Sequence, residues 1–592
     1  MEMSLMVGEK EIELSTNHYP GALHPQGYEK LSSFEVSPTP TWTYEAEGIT
    51  IQHSLALVHG KNQLLLKYEC LDAPSQSVHL KLKPFLAYRV NHELTQKNEF
   101  ISGDITESSK GFSLCPYDGM PALYFSGSQK LHTENYDDWF LNLEFYRERE
   151  RGFDHHEDLY CPCTIELELK KGQKDFIAVS TDGHVTAQEN IWNLELKRRE
   201  ELDKATTDLP MEEWKVLHRQ GEQFLTRNAR NELSITAGFP WFVEWGRDTM
   251  IALPGLTIHR GRPDLGLEIL TSYAKHEKDG LIPNYLAIGD GQHAYNSIDA
   301  SLWFFWAIGE MLNVKGYKKK VTDALLPTME NIIRAYMEDK VPQAHINENG
   351  LIYAGNPGTQ LTWMDANAYG RPATSRHGCP VEINALFLHA IHLYKHCGGS
   401  ASKLPGLNEL ESKLKTSFVE KFWNDEKGYL ADVVRNEPDF SIRPNQLFAV
   451  SLSSCPLSKA QKRSVVEVAR RDLLTPYGMR TLSADHPQFR ARYEGNGDER
   501  DSGYHQGTVW PWLLGHFIEA SILTADDPAY EAQRLKDDLE PLYKGHLWEF
   551  GLGSIAEVYD ATPPHFPAGT IAQAWSVSEM LRGFNIIHKA LK

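Results

Sequence analysis

No stretch of about 18 consecutive apolar residues occurs anywhere in the chain, so the sequence encodes no helical membrane span. The first ten residues, Met1-Glu2-Met3-Ser4-Leu5-Met6-Val7-Gly8-Glu9-Lys10, lack the basic start and apolar run of a signal peptide. Cysteine is scarce: there are seven in 592 residues, and the closest pair, Cys161 and Cys163, is too tightly spaced for a CxxC metal or redox site. These absences predict a reduced, cytoplasmic protein with no membrane partner. Positive charge is also in deficit, with 60 Lys and Arg against 80 Asp and Glu. A net charge of -20 with no basic patch repels phosphate backbones, so no nucleic-acid partner is expected. Neither a Rossmann fingerprint nor a Walker loop is present, and glycines such as Gly289 and Gly291 are too few to cradle phosphate. No cofactor is expected, and composition does not reach the oligomeric state.

What is present is a folding sequence. Hydrophobic residues make up 41% and charged residues 24%, and the length implies two or three structural units. The 25 Tyr, 24 Phe and 14 Trp supply flat amphipathic faces of the kind that stack on sugar rings. Through about residue 182 the apolar residues alternate with period two. Leu64, Leu66, Tyr68 and Cys70 form one set, Val78, Leu80 and Leu82 another, and Ile165, Leu167 and Leu169 a third. Breaks at Gly60-Lys61-Asn62 and Lys171-Gly172-Gln173 read as hairpin turns. The pattern predicts an antiparallel β-sandwich-like domain over 1–182 and a charged helical linker over 183–210.

Beyond the linker the period changes to 3.6. Ile298, Leu302, Phe305, Gly309 and Leu312 make one helical stripe; Ile383, Phe387, Ala390, Ile391 and Tyr394 a second; Leu407, Leu410, Leu414, Phe418 and Phe422 a third. No strand run of comparable strength interrupts them. Long loops rich in glycine and tryptophan join the helices, and long loops in a helical domain usually carry function.

Four segments stand out: Gly238-Phe239-Pro240-Trp241-Phe242-Val243-Glu244-Trp245-Gly246-Arg247-Asp248; Thr362-Trp363-Met364-Asp365 with Ser375-Arg376-His377-Gly378-Cys379-Pro380-Val381-Glu382; Gly503-Tyr504-His505-Gln506-Gly507-Thr508-Val509-Trp510; and Gly553-Ser554-Ile555-Ala556-Glu557, followed by Gln573-Ala574-Trp575. In this order and spacing they resemble the glucosidase domain of glycogen debranching enzymes, the amylo-α-1,6-glucosidase family, of the single-activity prokaryotic kind. The resemblance covers nearly the whole chain and implies an (α/α)₆ barrel of the six-hairpin glycosidase type over 211–592. It also implies a shortened amino-terminal β-domain, because relatives carry further strands and an Asn-Gly-Gly-Tyr stretch. Ser375 departs from the pattern, in which proline precedes the arginine.

Cleaving a glycosidic bond takes one carboxyl group to protonate the leaving oxygen and a second on the opposite face of the sugar. The resemblance assigns Asp365 as general acid and Glu557 as the base that activates water, in an inverting reaction on glycogen or another branched α-glucan. Trp363 and Met364 beside Asp365 fit the low solvent access that a proton donor needs. Trp245, Arg247 and Asp248 offer a stacking face, a forked donor and an acceptor for glucose hydroxyls, with a buried Arg–Asp ion pair as the alternative. Arg376 and Glu382 flank a helix start and are candidates for orienting the site; Glu382 alternatively serves the helix dipole. His505 and Gln506 can address hydroxyls, Trp363 is a candidate platform, and Trp510 either forms a platform or packs between barrel helices. Asp299 opens a helix and reads either as its cap or as a ligand contact. The acidic run Asp498-Glu499-Arg500-Asp501 lacks the alternation and glycine of an EF-hand, and no metal is expected. A glucoamylase-like α-1,4-glucosidase on the same barrel, and a glucan-binding protein without turnover, are the competing readings.

Overall fold

Residues 1–592 are described by the computed structural model, apart from 75–76, 91, 187, 229 and 288–290, so Gly289 and Asp290 lie outside the described residues. The chain divides into two compact units, Met1–Thr207 and Asp208–Lys592.

Period-two alternation builds the first unit as two antiparallel sheets. One runs His132–Glu144, His156–Leu169, Val78–Lys83, Glu2–Val7, Lys10–Glu13 in spatial order. The other has eight strands and is centred on Lys174–Ser180, Gln63–Asp72 and Ile49–Leu57. The apolar sets seen in sequence meet across strands, Leu80 opposite Leu167 and Leu82 opposite Ile165. They share a buried core with Ile51, Leu66, Tyr68, Phe125 and Ile177 of the larger sheet. Leu65 faces the other way, and with Ala56, Phe176 and Ala178 it packs against Trp192. Helix Gln188–Lys204, which lies in the expected 183–210 helical linker, packs on this sheet through Trp192 and falls in the first unit.

The two predicted turns have different fates. Gly60-Lys61-Asn62 closes a hairpin between Ile49–Leu57 and Gln63–Asp72, with Gly60 at φ 72°. Lys171-Gly172-Gln173 instead carries the chain from one sheet to the other, since the strands on either side of it pair with different partners. A sharp turn reverses direction in both cases, and local sequence does not record whether the next strand stays in the same sheet.

In the second unit, helices Gly246–Leu256, Asp299–Leu312, Val381–His396, Phe448–Ser451, Leu513–Thr524 and Ala574–Leu591 each pack on the next, and the last packs on the first. This closed inner ring is backed by Glu212–Gln220, Pro263–Ala274, Lys318–Met337, Leu407–Phe422, Lys459–Asp472 and Pro528–Asp538, among the described residues. The architecture is an (α/α)₆ barrel following a sheet-rich unit. Composition explains which helix lies where. Asp299–Leu312 is buried on every side, through Trp303, Phe304, Phe305, Trp306, Ala307 and Ile308, whereas Leu407–Phe422 buries only one stripe and wets the rest.

Strands of two or three residues occur in the connecting loops, including a small sheet of Leu474–Thr475, Gly478–Arg480, Val509–Trp510, Val558–Tyr559 and Pro567–Ala568. They are too short to show any periodicity in sequence. They fix the loops that lead into the amino-terminal ends of the inner helices, where Arg247, Asp299 and Glu382 all sit.

Within the ring, Arg582 pairs with Glu579 and Glu519 at 2.7 Å each and lies over the Trp306 ring at 5.3 Å. Its side chain is 1% exposed and that of Glu579 is 0%. Removing one member of a buried cluster strands the others, at about 3–5 kcal/mol. Arg582→Ala is therefore expected to lower the thermal unfolding midpoint of the barrel strongly; a midpoint unchanged from wild type in calorimetry would contradict this.

Candidate active site

Arg247 is the second residue of its inner helix and 4% exposed. Its Nε donates to both oxygens of Asp299, at 3.0 and 2.8 Å, and its Nη1 donates to Asp365 Oδ2 at 2.8 Å. Asp299 makes no cap on its own helix. It serves instead as the fully buried counter-ion of Arg247, and the predicted Arg–Asp pair involves Asp299 and Asp365 rather than the neighbouring Asp248. Arg247 Nη2 has no hydrogen-bond partner.

Asp365 differs from its neighbours in reach. Its side chain is 39% exposed, against 5% for Arg247, so its carboxylate meets solvent at the floor of a deep protein surround. That surround raises its pKa, and the charge of Arg247 opposes the rise without cancelling it. It immediately precedes the hairpin Asn367–Ala368/Arg371–Pro372.

Glu557 lies 3% exposed just before Val558–Tyr559. Thr570 N donates to its Oε2 at 2.9 Å, and the Tyr504 hydroxyl donates to its Oε1. Burial and the charge of Glu557 push the Tyr504 phenol well above its usual range, so it keeps the proton that it donates. Asp248 is pushed up to about 8, first by burial, with Arg247 opposing and the charges of both Asp365 and Glu557 adding to the rise. It therefore stands within electrostatic reach of both carboxylates.

His505 is 1% exposed, and its ring stacks on Trp510 with centroids 5.4 Å apart. Burial, then the positive charges of Arg443, Arg247 and Arg376, hold its pKa well below normal. The ring is neutral, with one donor and one acceptor nitrogen, and neither has a partner.

Several expected ligand contacts are occupied by protein. Arg376 spends its fork on Glu382 and on Asp432, the latter through Nε at 2.8 Å and Nη2 at 3.0 Å, and Glu382 is 0% exposed. Gln506 accepts from Arg443 Nη2 at 2.8 Å and donates to the Ala373 carbonyl at 3.1 Å. Trp363 and Trp510 are 1% and 2% exposed. Trp363 meets His505, Trp510 and Trp512 edge to face and donates from Nε1 to Asn445 at 2.7 Å. These residues brace the site and present no open face to a sugar. A motif shows which side chains gather, but not which of them the protein satisfies first. Trp245 is the half-buried aromatic, tilted against Tyr285. Asp498 and Glu499 are engaged too: Glu499 closes a capping box with Asn496, and Asp498 accepts from Tyr369 N.

Sequence reading missed Tyr504, Asp432, Asn445 and Thr570. Tyr504 adjoins His505 in a motif already singled out, but Asp432 lies 56 positions from Arg376 and has no local signal.

Asp365 and Glu557 thus lie near one another at the loop end of an (α/α)₆ barrel, both acting on Asp248. A family profile described as amylo-alpha-1,6-glucosidase matches residues 219–582, and one described as glycogen debranching enzyme N terminal matches residues 1–175. The chain belongs to the amylo-alpha-1,6-glucosidase family. It is 26% identical over 394 residues to a glycogen debranching enzyme of Saccharomyces cerevisiae, a match taking in 49% of this chain and 25% of the yeast protein. The chain thus spans about a quarter of the length of that curated relative. A bacterial glucoamylase complexed with acarbose aligns with TM-score 0.60 and 13% identity, covering 100% of this chain and 89% of the glucoamylase. A mannosylglycerate hydrolase from Thermus thermophilus aligns with TM-score 0.46 and 14% identity, covering 62% of this chain and 99% of that one.

Gly569 has φ 67°, and a Cβ there would collide with Glu557 Oε2. Gly569→Ala displaces that carboxylate while leaving every charge in place, and a misplacement of about 1 Å costs roughly 100-fold in rate. The variant is expected to lose kcat on that scale while keeping its far-ultraviolet spectrum; full activity would contradict the placement of Glu557.

Proposed function

We propose that the chain removes single α-1,6-linked glucose residues from branch points of glycogen-like glucans, with inversion at the anomeric carbon. The observation that carries this reading is the set of buried, unpartnered polar atoms beside the carboxylates. Arg247 Nη2 and both ring nitrogens of His505 have no protein partner, although orphaned buried groups are costly. A ring bearing several hydroxyls satisfies donors and acceptors together, and Asp248 and the half-buried Trp245 extend the same complement.

In this mechanism Asp365 gives its proton to the glycosidic oxygen as the C1–O bond breaks. Glu557 takes a proton from water while the water oxygen bonds to C1 from the opposite face. The cycle leaves Asp365 ionised and Glu557 protonated, and exchange with solvent resets both. Asp299 has a part that no motif assigns: by neutralising Arg247 it lets Asp365 keep a raised pKa despite the guanidinium beside it. Tyr504 and Thr570 aim donors at Glu557, which suits a carboxylate that must accept.

Family membership supports the α-1,6 linkage. A cytoplasmic setting belongs to the same proposal, supported by seven free cysteines. No described helix is long and apolar enough to cross a membrane.

Glucose release from 6-O-α-glucosyl cyclodextrin, compared with maltose and panose, tests the reading. Asp365→Asn and Glu557→Gln are each expected to lose about 10²–10⁴-fold, the usual contribution of a positioned acid or base. Wild-type activity in both variants would remove the site assignment. Hydrolysis of maltose alone would replace the linkage by α-1,4, and glucan binding without any release would leave a binding protein.

A further inference from the structure

The first unit contains a cluster that the glucosidase chemistry does not use. Strands His132–Glu144 and His156–Leu169 are antiparallel neighbours, and Glu144 lies directly opposite His156 at the end of their ladder. Among the described residues, Glu144, His155 and His156 bring one ligand atom each within 4.8 Å of one another. The hairpin Asn17–Tyr19/Ala22–His24 adds His18, whose Nδ1 stands 3.3 Å from Glu144 Oε2.

Two features of this cluster point to a ligand. The Glu144 side chain is 1% exposed, and its Oε2 makes no aligned hydrogen bond, with His18 Nδ1 3.3 Å away pairing with it only when that ring is protonated. Finally, His155 Nδ1 lies 2.9 Å from the Phe153 carbonyl. A carbonyl only accepts, so Nδ1 carries the proton and Nε2 keeps its lone pair, the outer-sphere arrangement that orients metal-binding imidazoles. Arg149 pairs with Glu144 Oε1 and leaves Oε2 to the site.

The geometry points to a binding site for a divalent transition-metal ion, Zn²⁺ by its imidazole and carboxylate donors, formed by Glu144, His155 and His156. Imidazole-rich donor sets favour zinc and its neighbours over the oxygen-seeking Ca²⁺ and Mg²⁺. The ion ties together the ends of the His132–Glu144 and His156–Leu169 strands, so its effect is on the stability of the β unit and not on hydrolysis. This differs from the expectation of no metal, because the three ligands come from two separate segments without the spacing of any metal motif.

The test uses the full chain in a Cys115→Ser background, which removes the one exposed thiol. Metal-free protein is equilibrated with ZnCl₂ or CaCl₂, its bound metal is measured by elemental analysis, and its unfolding is followed by calorimetry. Wild type is expected to hold about one zinc and to gain about 5 °C or more in saturating zinc, with no response to calcium. His155→Ala and His156→Ala, which leave the Glu144–Arg149 pair in place, are expected to lose both effects, as is Glu144→Gln. Equal zinc retention in the wild type and the two histidine variants, absence of zinc from the wild type, or an equal response to calcium would each overturn the assignment.

Discussion

The buried contact between Arg247 and Asp299 is the constraint on which the site depends. A guanidinium closed off from water at the mouth of a helical barrel is tolerable only with a counter-ion, and Asp299 supplies one through two bonds to Nε. The pair also links two neighbouring inner helices at their amino-terminal ends, where the connecting loops meet. Because the charge of Arg247 is answered there, its Nη1 is available to hold Asp365, while its Nη2 has no hydrogen-bond partner. A second buried cluster, Arg376 with Glu382 and Asp432, does comparable work one helix further round. The (α/α)₆ ring thus carries its chemistry on ion pairs that are themselves part of its core.

Around these charges stands a wall of aromatic rings. Trp363, Trp510, Trp512, Trp575 and His505 contact one another edge to face or stacked, with little exposed surface. Burial raises the pKa of Asp365 against the opposing charge of Arg247.

Fold class was legible because periodicity is local. The alternation of Val78, Leu80 and Leu82 and the stripe from Ile298 to Leu312 report directly on burial, and both lie in buried elements. Connectivity between sheets was not legible, as Lys171-Gly172-Gln173 shows, because a turn has the same chemistry whichever sheet follows. For the site, the four motifs name residues that lie near one another, since Asp248 feels the charges of Arg247, Asp365 and Glu557, and His505 feels that of Arg247. They did not distinguish a residue that faces ligand from one that faces protein. Gln506 and Arg376 are equally polar in sequence, and only their partners at Ala373, Arg443 and Asp432 show that they are already engaged.

In the proposed mechanism Asp299 absorbs the charge of Arg247 and so leaves Asp365 able to hold a proton. The most direct measurement is the pH dependence of kcat/KM for glucose release by wild type and Asp299→Asn. With Asp299 neutral, Arg247 acts undiminished on Asp365 and lowers its pKa, so the alkaline limb, where the acid loses its proton, moves to lower pH. An alkaline limb that stays where it is in wild type, in a variant that folds and turns over, would contradict the account.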